Sequence, residues 1–429
     1  TTKSFTALAT MQLVEAGKVD LDSPVQRYLP WFRAANKEAS SRITVRDLLN
    51  QTSGLPTRET AAQLTKNDNS DGALENQVRD LKNTQLTAPV GTQFQYSNLN
   101  FDVLGLIVQT VSGQPYEEYV QQNIFEPLEM SRSYTSPEEA RENGRAMGHR
   151  YWFGRPFAYE MPYNRGHFPA GFINASAEDV THYLIAQLND GRYEGERILS
   201  PSGIAEMHRP AVETGNEGTS YGMGWFVGNT NGVPTVYHSG DTASFHADLV
   251  MAPENEWGVV VLTNGQNGMS NARIAGIATG VTSLLVGKEP PVAASNSARP
   301  TLLVWVAAVL AIQILGIVRS AILLRRWYRD PARRPRGWFR VAIRVVPFFL
   351  ASFLWAMVAI SVLPFFAGAP LLALPMFVPD LGYPLLLSIG IALGWGLLRP
   401  VLVLRVLRSR RKPPRDVDTA TERTVTATT

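Results

Sequence analysis

The sequence predicts an α+β domain, an antiparallel sheet flanked by helices with a helical subdomain, followed by three transmembrane α-helices. Three observations predict it. Apolar residues recur at helical spacing through the first part of the chain, and short β-branched and aromatic runs separated by turn residues follow. Beyond residue 300, three apolar runs carry no charge, and each approaches the ~20 residues that cross a bilayer's hydrocarbon core.

The first helix rests on Phe5, Leu8, Met11 and Val14, one apolar stripe at three-residue steps, with Gly17 where a C-cap belongs. "ITVRDLLNQTSG" and "NFDVLGLIVQTVSG" are helical and each ends on glycine. "SAEDVTHYLIAQLNDG" opens on Ser176 as N-cap with Asp179 three residues on. Then the character changes. "YGMGWFVG", "PTVYHSG", "FHADLVMAP" and "WGVVVLTNG" read as consecutive strands, which imply an antiparallel sheet rather than alternating βαβ units. A closing helix spans about Asn271 to Val286, and "KEPPVAASNSARP" reads as a linker over residues 288–300.

The membrane region, 301–404, holds helices at about 302–318, 345–366 and 383–404, with a basic tail at 405–429. Nine arginines lie between the first two runs, from Arg319 to Arg344, and Arg399 to Arg415 is equally basic, whereas only Asp380 is charged between the second and third. By the positive-inside rule the first loop and the C-terminus are cytoplasmic and everything before Leu302 faces out, a multi-pass plasma-membrane protein with the lipid bilayer as partner.

Charge agrees with that division. Residues 1–300 carry a net charge of −9 and residues 301–429 a net charge of +12, so the basic character belongs to the membrane part and no nucleic-acid surface is implied. Cysteine is absent, which excludes disulfides, thiolate catalysis and Cys-ligated metal. Oligomeric state is not legible.

Three local patterns carry chemistry. Lys3 stands in the first turn of its helix, and a residue three positions earlier, before Thr1, would share its face. Tyr96 and Asn98 point the same way if "QYSNLN" is extended before a helix starting near Asn100; a phenol there can shuttle protons if a nearby cation lowers its pKa, and the amide can hold a carbonyl. A turn with Asn98 as helix cap is the competing reading. His238, Ser239 and Gly240 end an apolar strand, with a glycine that admits close approach of a ligand to the backbone.

Taken in order, a helix-borne lysine fit to complete S-x-x-K, then Y-x-N, then an H-x-G strand end, resemble the serine β-lactamase and penicillin-binding protein superfamily, in its class C-like branch of hydrolases and esterases of the peptidase S12 type. "FTALATMQLVEAGKVDLDSPVQRYLP", "ITVRDLLNQTSGLP", "PAGFINASAEDV", "YGMGW" and "VVVLTNG" look like the same family, and the resemblance covers nearly all of residues 1–287. It implies the serine β-lactamase fold and an acyl-enzyme mechanism without metal or cofactor. Lys3, Tyr96 and His238 would be catalytic; Asn98, Ser239, Gly240 and the main chain of Asp241 would bind the small-molecule or peptide substrate. The nucleophilic serine would immediately precede Thr1, so the sequence as given is expected to lack its nucleophile and upstream strands, with no internal serine followed three residues later by lysine expected to substitute for it.

Two positions depart from the family. Asp241 stands where many members have glycine, and His238 replaces the lysine of the drug-resistance enzymes; a largely neutral histidine argues for esters or peptides over β-lactams. The alternative is a catalytically inactive, membrane-tethered binding or sensor protein that uses the same cleft for peptidoglycan-like ligands. "GTSYG", residues 218–222, also fits the G-x-S-x-G elbow and would make Ser220 a nucleophile, but a polar stretch precedes it and a strand-like run follows.

Overall fold

The computed structural model describes residues 1–57, 67–230, 232–266, 271–291, 298–363 and 370–409. The chain forms two compact units, one of residues 1–304 and 362–384, the other of residues 305–361 and 385–429.

In the first unit, helix α1 (Thr2–Glu15) is buried on every side from Thr2 to Met11, not along one stripe. The small residues between its large ones, Thr6, Ala7, Ala9 and Thr10, let neighbouring elements approach all round. Its C-cap is Ala16, and Gly17 follows in the left-handed conformation expected of it. Helix α2 (Val45–Leu49) opens with a Thr44–Asp47 capping box, but it stops five residues before Gly54. Helix α3 (Ala73–Arg79) and helix α4 (Asn98–Ser112, closed by left-handed Gly113) follow, then helix α5 (Ala177–Leu188), whose cap Ser176 accepts the Asp179 N–H at 3.1 Å as the sequence predicts.

A hairpin of strands β1 (His149–Trp152) and β2 (Arg155–Ala158) interrupts the helical part. The main sheet has six strands: β3 (Val212–Glu213), β4 (Ser220–Tyr221), β5 (Phe226–Thr230), β6 (Val233–Asp241), β7 (His246–Ala252) and β8 (Trp257–Thr263). Every neighbouring pair is antiparallel and spatial order follows sequence order, so the run of turn-separated strands builds one meander. Strand β9 (Gly265–Gln266) instead pairs parallel with β1. Helix α6 (Asn271–Leu285) closes the domain and contacts β7 and β8.

Ser220 lies in a strand that continues into a second strand after four residues, with no helix behind it, so its G-x-S-x-G is not a nucleophile elbow.

Helices α7 (Ala298–Arg329), α8 (Trp338–Met357) and α9 (Pro379–Arg408) are long and apolar enough to cross a membrane, as the sequence predicts. Helices α7 and α9 run past their charge-free runs into arginines, which are good helix formers, whereas α8 starts earlier than its run, at Trp338, and ends at Met357, short of the expected residue 366. Within the second unit Arg399 Nε donates to Ser320 Oγ at 3.0 Å and Trp355 Nε1 to Ser388 Oγ at 2.8 Å, polar ties between apolar helices. The linker assigned to 288–300 and the tail at 405–429 fall partly outside the described residues.

Candidate active site

Lys3 is 3% exposed, an unusual place for an ammonium group. Its Nζ donates to the Ala170 carbonyl at 2.8 Å and lies 4.9 Å from the centre of the Tyr96 ring. Burial pulls its pKa down from the ordinary lysine value to about 7, and the Asp102 carboxylate offsets part of that fall. The lysine therefore sits near the balance point between amine and ammonium at neutral pH.

What holds it there is a turn of helix at Phe168–Gly171. Thr6, one turn along α1, donates to Pro169 O at 2.6 Å, so α1 grips two successive carbonyls of that turn. On the other side Gly105 of α4 lets the turn in: a Cβ there would stand 2.2 Å from Pro169 Cγ.

Tyr96 and Asn98 straddle the start of α4. The helix begins at Asn98 with Ser97 as N-cap, so Asn98 is not the cap, and the helix starts two residues before the expected Asn100. Both residues line a cleft of about 1280 Å³, together with Lys3, Ser239, Gly240 and Asp241. The tertiary structure thus gathers six of the seven site residues expected from the sequence around one cavity. A smaller hollow of about 550 Å³, beside Trp31 and Gln114, contains none of them.

The seventh, His238, is 1% exposed and stands behind that wall in a cluster of rings, 6.3 Å from the Tyr96 ring and 5.4 Å from Phe226. Its Nδ1 donates to Ser239 O at 2.6 Å, which leaves Nε2 as the unprotonated nitrogen, without a hydrogen-bond partner among the described residues. Burial, reinforced by the nearby Lys3 charge, pushes its pKa well below the ordinary histidine value. It is neutral, as expected, but it touches Tyr96 rather than the cleft.

Tyr96 departs from the expected chemistry. Burial and the Asp241 charge push the phenol's pKa up, not down, because a phenolate there would lose its hydration and face a carboxylate. The phenol stays protonated and can pass a proton only while taking another.

Two features were missed by sequence reasoning. Asn98 Nδ2 lies 3.2 Å from His167 Nε2, and His167 Nδ1 lies 2.8 Å from Asp102 Oδ2, with the imidazole and carboxylate fully buried. Asp102 sits four residues after Asn98 on α4, a spacing that places both on one helical face and was open to detection; His167 arrives from a distant segment without a local signal. The second feature concerns Asp241. Its carboxylate accepts from His246 Nδ1 at 2.6 Å and from the Gln266 amide, while His246 Nε2 donates to Asp248 at 2.8 Å. Burial alone would lower the His246 pKa, but the two carboxylates raise it to about 9, so an imidazolium offsets the charge that the glycine-to-aspartate departure brings in.

Across the whole chain one Ser-x-x-Lys does occur, Ser409 to Lys412, within the run "RSRRK" that follows α9. Ser409 Oγ is spent on Val406 O at 2.8 Å, and Lys412 lies outside the described residues.

A buried helix that opens beside the end of a strand in an antiparallel meander, with a cleft between sheet and helical half, defines the penicillin-binding protein and β-lactamase class of serine hydrolase folds. The chain belongs to the beta-lactamase family, whose model matches residues 1–281. It is 30% identical over 266 residues to Protein flp of Staphylococcus aureus strain N315, covering 61% of this chain and 51% of that protein. It is also 30% identical over 274 residues to penicillin-binding protein 4 of Amycolatopsis lactamdurans, covering 61% and 70%. Among solved structures, the octameric penicillin-binding protein homologue from Pyrococcus abyssi superposes with a TM-score of 0.59 at 31% identity, over 70% of this chain and 68% of that one. D-amino acid amidase from Ochrobactrum anthropi SV3, complexed with D-phenylalanine, superposes with 0.52 at 26%, over 67% and 90%. The chain spans about half the length of Protein flp.

Proposed function

We propose that the protein is a membrane-anchored serine hydrolase that acts through an acyl-enzyme on ester or peptide carbonyls. The observation that carries the reading is the amine of Lys3, buried, poised near pH 7 and set against Tyr96 in the wall of the cleft. A buried lysine of depressed pKa at a helix start is costly to fold and suits a base.

The nucleophile is a serine joined to the nitrogen of Thr1. That nitrogen stands close to β6, 2.8 Å from where a Cβ on Gly240 would be, a position that supports a nucleophile beside the end of that strand. Serine Oγ attacks the carbonyl carbon while neutral Lys3 takes its proton; the proton passes through the Tyr96 hydroxyl to the leaving group, and the carbon–leaving-group bond breaks. Water then hydrolyses the acyl ester by the reverse relay. The main-chain N–H of Asp241 and that of the serine stabilise the oxyanion, Ser239 and Gly240 line its strand side, and Asn98 positions the acyl donor's amide. The kinship with a D-amino acid amidase favours amide donors of D-amino acids within this class.

Orientation follows from the arginine distribution: the hydrolase domain is extracytoplasmic and the C-terminus cytoplasmic.

The test is mass spectrometry of the full-length gene product after treatment with a fluorophosphonate and with benzylpenicillin. A single adduct on the serine preceding Thr1, lost in Lys3→Ala, is the expected result. No adduct, with retained binding of peptidoglycan fragments, would instead identify a non-catalytic receptor.

A further inference from the structure

The turn between β1 and β2 is built from residues that a water-exposed hairpin rarely displays. Phe153 is 62% exposed, Phe157 49% and Trp152 38%, in a stretch reading "YWFGRPFA". The tip is rigid in its design: Phe153 and Gly154 both take positive φ, the tight connection that keeps the two strands in register. Phe153 and Phe157 at this tip leave about half or more of their surface uncovered, and such apolar patches mark contact surfaces.

The first unit itself indicates what that contact is. Trp152 packs on Tyr383 with ring centres 5.7 Å apart. Arg150, on the same strand, lies 4.0 Å over the Tyr159 ring and 5.8 Å over that of Tyr383, and its Nη1 donates to Pro375 O at 3.1 Å. Tyr383 is the fifth residue of α9, the last of the three helices apolar enough to cross a membrane. Gly382 beside it lets the Leu374–Phe377 turn fold back, since a Cβ there would meet Pro375 N at van der Waals overlap. Residues 363–379 contain no charged side chain, and Leu372 among them is 75% exposed. The hairpin is therefore fastened, by an arginine and an aromatic stack, to the point where the chain enters an apolar helix.

We infer that the β1–β2 hairpin lies in the interfacial layer of the bilayer, with Trp152, Phe153 and Phe157 at the depth of the lipid headgroups and upper acyl chains. The inference rests on the reading that α9 spans a membrane. Tryptophan and tyrosine concentrate at that depth because their rings are apolar and their N–H and O–H groups find water or headgroups, and phenylalanine adds apolar area just below. Arg150 and Arg155 on the two strands keep their guanidinium groups at the phosphate level. The consequence reaches the active site. Arg145 and Tyr159, which flank the hairpin on either side in sequence, line the cleft, and β1 pairs with β9, whose Gln266 holds Asp241. A hairpin seated in lipid keeps this rim of the cleft at the membrane surface, where acyl donors carried on lipids or anchored in the outer leaflet would be presented.

The chain's lack of cysteine makes the test direct. Full-length protein in phosphatidylcholine vesicles would carry one cysteine labelled with a nitrobenzoxadiazole fluorophore, introduced as Phe153→Cys, as Leu315→Cys in α7, or as Lys18→Cys on the exposed surface after α1. Quenching by a doxyl label near the top of the lipid acyl chain should be several-fold stronger at Phe153 than at Lys18, with aqueous iodide showing the reverse. Loss of lipid quenching at Leu315 would overturn the membrane reading itself. Lipid quenching at Leu315 with iodide quenching at Phe153 would overturn the hairpin's placement alone. Shielding of Phe153 from both agents would also overturn it, in favour of a protein partner such as a second copy of the chain.

Discussion

His167 Nδ1 stands 2.8 Å from Asp102 Oδ2, and neither side chain reaches solvent. A carboxylate only accepts, so Nδ1 donates to Asp102, and an amide nitrogen only donates, so Nε2 accepts the Asn98 Nδ2 hydrogen. That choice turns Asn98 Oδ1, which has no other partner among the described residues, into the group offered to a substrate or to the Lys3 ammonium.

His167→Asn keeps a donor for Asp102 but removes the acceptor for Asn98. Its expected effect is selective: kcat/KM for a D-aminoacyl amide falls by roughly tenfold, the ~1.4 kcal/mol of one oriented hydrogen bond, while a plain p-nitrophenyl ester is hydrolysed normally. His167→Ala should also lower thermal stability, because Asp102 keeps only the long 3.4 Å contact from Gln77. Equal losses on both substrates in the asparagine variant would reduce His167 to a packing role.

Lys3 acts as base only when neutral. With its pKa near 7, kcat/KM should rise through that pH and level off above it. Asp102 is the charge that holds the value up, so Asp102→Asn should move the midpoint of the rise to lower pH. A midpoint that stays put, or moves up, would separate Lys3 from the rate-limiting proton transfer.

His246 bridges two aspartates, and its pKa is raised from 6.5 to about 9 in the folded protein. A cation favoured by folding contributes stability that is complete below pH 6.5 and is lost as pH climbs through 9. Thermal midpoints recorded from pH 6 to 10 should fall across that window, and His246→Gln should flatten the fall while starting from a lower midpoint at pH 6. An unchanged pH profile in the variant would show that His246 is not the titrating group.

Tyr96→Phe removes the hydroxyl that relays the proton and should depress kcat by roughly 10²- to 10⁴-fold for any acyl donor. His238→Lys places a cation against the Tyr96 ring from behind the wall, and its expected signature is a change in the pH dependence of kcat with little change in substrate preference. Side-by-side kinetics on a neutral ester and a carboxylate-bearing analogue decide it. A clear shift toward the carboxylate would mean that residue 238 reaches the substrate after all.

The periodicity of the sequence by itself determined most elements: the capped helices, the four turn-separated runs that supply five of the six meander strands, "YGMGWFVG" dividing into two and Val212–Glu213 lying outside them, and three apolar helices long enough to span a membrane, because each depends on residues within a few positions of one another. Lys3, Tyr96, Asn98 and the residues from Ser239 to Asp241 were legible as candidates through short motifs and resemblance, and they line one cleft. Only the tertiary structure decided their chemistry. Burial drives the Lys3 amine toward neutrality and the Tyr96 phenol away from ionisation, and burial is a property of everything packed around a group rather than of its neighbours in the chain. The same holds for His167, brought to Asp102 across 65 residues, and for His246, set between Asp241 and Asp248 by the register of β6 on β7. Those pairings arise because buried polar groups must find partners wherever the fold supplies them, and a linear pattern carries no record of that search.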